Sequence, residues 1–323
     1  MPSANPDKAA KGSSAGHSSV LLNEAVRFLT EGERSGCFLD ATFGGGGHCR
    51  ALLEAHAANR VIAFDCDPEA IERSAALQQA YEGRLTLHHR NFDELAEVET
   101  GPLDGALFDL GLSSYHFDTP ERGFSFRFAA PLDMRLNTEE GMTAREFLET
   151  ADHEALVTAI RNYGEETRWR AVVDAIENAR GTERLSDTLQ FASLIESVVG
   201  QRRVQGRAPI HPATRSFQGI RIAVNRELEV IETALPVAFE RLKTGARLVV
   251  ISFHSLEDRI VKRFFRRMAG RPEHGRDNRP QQDRVVRGRE LIRKPLRPSE
   301  SEIAANPRAR SACMRVIEKG ELS

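Results

Sequence analysis

No apolar run in the 323-residue chain approaches the roughly 18 residues a membrane helix needs, so a membrane-spanning helix is not expected. Cysteine is scarce. The four present, Cys37, Cys49, Cys66 and Cys313, lie far apart with no Cys-x-x-Cys, which excludes a disulfide framework or zinc ribbon and points to a reducing compartment. The first sixteen residues lack the apolar stretch of a signal peptide and read as a disordered tail, so a cytoplasmic location is expected. Net charge is nearly absent, with 45 Lys and Arg against 47 Asp and Glu. With 40% apolar and 28% charged residues, collagen, coiled coil and wholesale disorder are excluded. Around His254 there is neither a Gly-x-Ser-x-Gly nucleophile elbow nor His-Glu-x-x-His metal spacing, which argues against a hydrolase. Of the histidines, His17, His56, His88, His89, His153 and His274 show no ligand spacing, and no metal is expected. No internal repeat is visible.

The near-neutral total hides an asymmetry. Between Arg259 and Lys319 there are 18 Lys and Arg against 7 Asp and Glu, a surplus of +11 that leaves −13 for the rest. A basic C-terminal fifth can meet a polyanion, although charge counting alone reads equally well as a solvated surface.

The length fits two domains or one elaborated α/β domain. A short amphipathic helix is expected over Val20 to Thr30, then a strand from Cys37 to Ala41, the run Phe43-Gly-Gly-Gly-Gly-His48 and a helix to about Ala58. Arg60 to Asp65 reads as a buried strand. Asp67-Pro68 then suits the cap and first position of a helix running to about Tyr81. Leu85 to His89 and Gly105 to Leu110 complete four strands that imply a parallel sheet with crossover helices. From about Ser114 to Ala208 the β signals vanish. Helical patterns at 143–149, 153–162, 166–179 and 186–199 indicate an all-α domain inserted after the fourth strand. A long helical segment, Ala213 to Lys243 with a break at Pro236, leads to a fifth strand over Arg247 to Phe253 and a helix over Ser255 to Met268. Gly270 to Arg284 reads as a mobile loop, and 290–294 and 312–319 as closing strands.

Chemistry concentrates at strand ends. A glycine-rich turn between strand and helix lets a ligand approach backbone and helix N-terminal amides. The dinucleotide fingerprint fails in both registers, because its third small residue would fall on Cys49 or Arg50. An NAD-dependent oxidoreductase is thereby disfavoured. Asp40 before the glycines and Asp65 at the next strand's end fit an S-adenosylmethionine (AdoMet) site better, with Asp65 on the ribose. Asp109-Leu-Gly-Leu-Ser-Ser114 ends the fourth strand, where ligands of open α/β sheets bind. An acid there could hold a planar amine in line with a sulfonium methyl, or simply cap the next turn. His254 reads first as a loop-shaping cap, with a base as the rival reading. Arg259, Lys262, Arg263, Arg266 and Arg267 fall on one helical face, the arrangement phosphate contacts require. Phe124, Phe126 and Phe128 alternate with Arg122 and Arg127, either as a base clamp or as a small apolar cluster.

Eight strings recur in order: His17-Ser-Ser-Val-Leu-Leu22, Asp40-Ala-Thr-Phe-Gly-Gly-Gly-Gly-His48, Asp109-Leu-Gly-Leu-Ser-Ser114, Arg122-Gly-Phe-Ser-Phe126, Pro131-Leu-Asp-Met-Arg135, His211-Pro-Ala-Thr-Arg215, Ser252-Phe-His-Ser-Leu-Glu-Asp-Arg259 and Asn306-Pro-Arg-Ala-Arg-Ser311. Together they resemble the ribosomal RNA small subunit methyltransferase H family (RsmH, also called MraW) from roughly His17 to Ile317. The resemblance implies a Rossmann-like class I AdoMet-dependent methyltransferase sheet, with residues 17–114 and 211–319 binding AdoMet and an inserted helical substrate-recognition domain over 115–210. It implies N4-methylation of a cytosine in the decoding centre of 16S ribosomal RNA. By motif, Gly46, Gly47 and His48 would contact AdoMet, Asp65 the ribose, Phe92 the adenine, and Asp109 the far side beside the reacting amine. His116 stands where the family usually has glutamine. No Pro-Pro-Tyr amine-methylation motif occurs, so Asp109, Ser113 and Ser114 take that role by position. The small ribosomal subunit is the expected partner, with no membrane or metal, and a homodimer is left open.

Overall fold

The computed structural model describes residues 19–31, 35–200 and 211–321. The expected tail over 1–16, the His17-Ser18 end of the first motif and residues 201–210 of the expected insertion lie outside them.

Helix α1 (Leu22–Thr30) precedes β1 (Cys37–Asp40), α2 (Gly47–Ala55), β2 (Arg60–Asp65), α3 (Pro68–Arg73), α4 (Ala75–Ala80), β3 (Leu85–His89) and β4 (Leu103–Asp109). Asp67 caps α3 as its sequence position predicts, its side chain accepting from the Glu69 amide. The single helix expected to Tyr81 is instead two, divided at Ser74, whose hydroxyl donates to the Ile71 carbonyl at 2.5 Å. After β4 come α5 (Ser114–Asp118), α6 (Ala144–Thr150), α7 (His153–Val157), α8 (Trp169–Ala179), α9 (Thr188–Val199), α10 (Thr214–Val224) and α11 (Glu227–Arg241). The chain returns to the sheet as β5 (Leu242–Ser252), then α12 (Ser255–Met268), β6 (Gly288–Glu290), α13 (Glu300–Ala305) and β7 (Cys313–Lys319).

The sheet runs β3-β2-β1-β4-β5-β7-β6. Its first five strands are mutually parallel, while β7 lies antiparallel between β5 and β6. This is the class I methyltransferase arrangement that the sequence implies. The strand order reverses between β1 and β4, so Asp40 and Asp109, which end these strands, flank the crevice where such sheets take ligands. Successive strand residues alternate between two cores. Phe38, Leu107 and Val249 face α1 and α2, whereas Leu39, Phe108 and Val250 face α11 and α12. A third core joins the helices after β4 through residues such as Leu148, Val173, Ile176 and Phe191. Helix α10 contributes Phe217 and Ile220 to it.

Four expectations need correcting. The long segment breaks at Arg226, which has φ 51° and forms a left-handed junction between α10 and α11, and not at Pro236, which lies inside α11. Strand β5 starts at Leu242 and not Arg247; a register irregularity between Leu103 and Gly105 accommodates the extra length. The expected mobile loop folds around Asp277, whose carboxylate accepts from both Arg279 and Arg284. Strand β6 covers only Gly288–Glu290, two residues ahead of where a closing strand was expected.

Candidate active site

The turn after β1 is built by short-range bonds. The Phe43 amide donates to the Phe64 carbonyl at 2.8 Å, and the Gly44 amide to Oδ2 of Asp65 at 2.7 Å. Gly46 takes φ 73°, and a Cβ there would stand 2.7 Å from the Phe43 ring and 2.9 Å from Leu77, so both conformation and packing demand glycine. The turn delivers His48 into the first turn of α2 at 3% exposure. Its Nδ1 lies 3.6 Å from Oδ2 of Asp109, too far for a hydrogen bond, and its Nε2 has no partner. Burial lowers its pKa to about 4, so the ring is neutral.

The acids of this region differ in their surroundings. Asp40 is fully buried, accepts from the Thr42 amide and the Cys49 thiol, and is pushed up to about 7 by burial. Asp65 spends one oxygen on the Gly44 amide and the other on the Asp67 amide at 2.9 Å, each keeping a lone pair for a ligand hydroxyl. Asp109 donates its backbone amide to Oγ1 of Thr42 at 2.7 Å, while its Oδ1 is buried without a partner. Burial, then the charges of Asp40 and Glu257, raises its pKa well above the ordinary carboxylate range. These surroundings favour the protonated form of Asp109, and a positive charge beside it would favour the carboxylate.

One cleft of about 490 Å³ collects these groups. Gly47, His48, Asp65, Phe92, Asp109, Ser113, Ser114 and His116 line it. Gly46 does not, being the residue that shapes the turn from behind. Phe92 stands edge-on to Phe108, with ring centroids 5.5 Å apart. His116 uses both ring nitrogens within the protein: Nδ1 accepts from the Ser113 amide at 3.1 Å, and Nε2 lies 3.1 Å from Oδ2 of Asp67. Asp67 also takes Nη1 of Arg122 at 3.1 Å. Its burial pushes the acid up, but His116 and Arg122 outweigh this and hold it at about 2. Arg122 is thus buried structure and no base clamp. Phe124 packs on His116, and Phe126 on His211 and Phe217, which leaves Phe128 as the exposed ring of the three.

The sequence reading missed the far wall. Beyond Asp109 the cleft continues along Gln218, Arg221 and Asn225 of the α10 segment to Glu227, His254 and Glu257. Arg221 forks onto both oxygens of Glu227 at 2.7 and 2.8 Å. Glu257 accepts the Phe253 and His254 amides on Oε2 at 2.8 and 3.1 Å, and its burial is outweighed by His254, these amides and Arg221, so it stays ionised. Among the described residues, Glu227, His254 and Glu257 bring ligand atoms within 4.8 Å of one another, but the Arg221 guanidinium already neutralises Glu227. Glu257 lies within the Ser252 to Arg259 string, but nothing in its local spacing aims it at the cleft.

The cations of α12 do not line the cleft. On α12, Lys262 and Arg263 are exposed, Arg259 pairs with Glu165 and Arg267 with Glu273, each at 3.4 Å, and Nε of Arg266 is buried without a partner.

Proteins named ribosomal RNA small subunit methyltransferase H are similar to this chain along nearly their whole length. The one from Thermomicrobium roseum is 46% identical over 315 residues, covering 94% of this chain and 93% of that protein. The one from Azoarcus sp. is 48% identical, covering 94% and 96%. A solved rRNA methylase from Streptococcus thermophilus aligns at a TM-score of 0.43 and 11% identity, covering 95% of this chain and all of that one. The MraW methylase family profile matches residues 14–320. With a family match of this extent and the switch-point cleft its sheet forms, the chain belongs to the MraW methylase family.

Proposed function

We propose that the chain transfers the methyl group of AdoMet to N4 of a cytosine in the decoding centre of 16S ribosomal RNA, within the small subunit. It is an AdoMet-dependent rRNA methyltransferase. The observation that carries the reading is Asp109, an acid at the sheet's switch point with an unpartnered buried oxygen, between the glycine turn and a polar far wall in one cleft. Gly47 and His48 would meet the methionine part of AdoMet, Asp65 the ribose hydroxyls and Phe92 the adenine, while Gly46 acts through the shape of the turn. His116, with both nitrogens engaged, would serve by fixing the Ser113-Ser114 turn against Asp67. The reading takes 17–114 and 211–319 as the AdoMet-binding part and 115–210 as the part that recognises RNA, with the α12 cations on phosphates. It places the enzyme in the cytoplasm, needs neither metal nor membrane, and leaves a homodimer open. Among the described residues no helix is long and apolar enough to cross a membrane.

AdoMet supplies a methyl group on a sulfonium, an electrophile that needs no covalent enzyme intermediate. Cytosine N4 is a poor nucleophile because its lone pair is delocalised into the ring. Asp109 answers this by accepting one N4 hydrogen, which holds the amine in line and lets it pyramidalise. A positive centre beside Asp109 favours its carboxylate, the form this role requires. Asp109 or water then takes the proton released after transfer. Fixed dipoles and proximity do most of the work.

The test is methyl transfer from labelled AdoMet to small ribosomal subunits lacking the modification, followed by nucleoside mass spectrometry. N4-methylcytidine is expected. No incorporation, with AdoMet binding intact, would overturn the assigned substrate.

A further inference from the structure

Two buried polar atoms without partners belong to residues that line the cleft beyond the glycine turn. They are Oδ1 of Asp109 and Nε2 of His254. A third, Nε2 of His48, belongs to the start of α2 on the glycine-turn side. Buried polar atoms are seldom left unpaired without reason.

Their hydrogen-bonding characters are opposite. His254 caps α12, its Nδ1 accepting from the Glu257 amide at 3.4 Å, which assigns the ring proton to Nε2. That Nε2–H lies 3.1 Å from Oε1 of Glu257, in an alignment that makes no hydrogen bond. Glu257 spends its other oxygen on two backbone amides, so the glutamate fixes the loop and keeps the imidazole oriented. Asp109 as a carboxylate offers only an acceptor. The cleft therefore presents one donor and one acceptor, on Asp109 at the end of β4 and His254 just after β5, adjacent strands where the Leu110 amide donates to the Ile251 carbonyl at 2.9 Å. The N3 and N4 edge of cytosine is the complement: an acceptor beside a donor. Uracil presents N3–H and O4, so the same pair would set donor against donor and acceptor against acceptor.

We propose that Nε2–H of His254 donates to N3 of the target cytosine while Oδ1 of Asp109 accepts from N4, so that His254 reads the base and fixes the amine for transfer. This rests on the cytosine methylation proposed above. The base must leave its stack to reach this wall, as bases do for enzymes that modify them.

The test is a cycle between protein and substrate. Small subunits are reconstituted with 16S rRNA carrying either cytidine or 3-deazacytidine at the target, the latter having C–H in place of N3. Wild-type protein and His254→Asn, which retains a good helix cap, are compared on both. In wild type, 3-deazacytidine should lower kcat/KM by about tenfold or more beyond the loss it causes in His254→Asn, a coupling typical of a lost buried hydrogen bond. The altered reactivity of the deaza amine is common to both proteins and cancels. AdoMet affinity of His254→Asn should match wild type, which reports an intact fold. Equal losses in both proteins would overturn the assignment of His254. If the variant does not fold, wild type alone decides: about tenfold weaker binding of 3-deazacytidine subunits supports the contact, and equal binding overturns it. Failure of wild type to methylate the cytidine subunits would instead remove the proposed function, and this inference with it.

Discussion

At the residue scale, two acids carry separable predictions. Replacing Asp109 with alanine should lower methyl transfer by at least about 100-fold, the usual scale for a positioned acid or base, with the fold retained because the Asp109 amide still reaches Thr42. Transfer assays with a thermal melt beside them check this, and near-wild-type turnover would remove the role. Asp40 governs stability against pH. An unfolded aspartate ionises near pH 4, whereas folded Asp40 keeps its proton until about 7. Between those values the unfolded state binds fewer protons, so stability from this group falls as pH rises and levels off above 7. Asp40→Asn, which preserves an acceptor for the Thr42 amide, should therefore gain in Tm relative to wild type as pH goes from 4 to 8. A constant difference across that range would refute it. Both acids could be found in the sequence because each ends a strand with a recognisable apolar run. Glu257 and Glu227 could not: they reach the cleft only when the start of α12 and the start of α11 meet beside β4, and no spacing in the chain encodes that meeting.

At the scale of elements, α12 has two faces that the sequence periodicity separates correctly. Val261, Phe264 and Phe265 are buried in the sheet's core, and the cations point away. What periodicity does not show is that Arg259 and Arg267 have acidic partners, Glu165 and Glu273, while Lys262 and Arg263 stay exposed. Arg263→Glu with Arg267→Glu should weaken RNA binding and reduce the slope of log affinity against log salt by about 1 to 2, leaving AdoMet affinity unchanged. A salt titration that overlays wild type would make this face ordinary surface. The strand ends and the caps at Asp67 and His254 were legible because capping is local chemistry. The break at Arg226 was not, because proline is the loudest local signal and Pro236 is tolerated within α11.

At the scale of the whole molecule, a buried ion pair helps fasten the segment after β4 to the cap of α3. Arg122 donates to Asp67 and, through Nη2, to the Arg135 and Leu136 carbonyls at 3.0 and 2.9 Å. Arg122→Met would leave the Asp67 carboxylate with His116 and Arg73 alone, and should cost about 3 kcal/mol in urea unfolding. An unchanged midpoint would show that the pair contributes nothing to the joint. The sequence marks Arg122 only as one of several arginines near phenylalanines, since a partner 55 residues away leaves no local trace.

Helix α10 turns Phe217 and Ile220 into the helical core while Gln218 and Arg221 line the cleft. A shortened protein rejoined across 115–210 would therefore not be a minimal methyltransferase: it would present two bare apolar side chains to water and lose the anchorage of the wall facing the substrate. The helical portion is thus part of the cleft's own scaffolding, and removing it would strip α10 of the core that holds Gln218 and Arg221 in place.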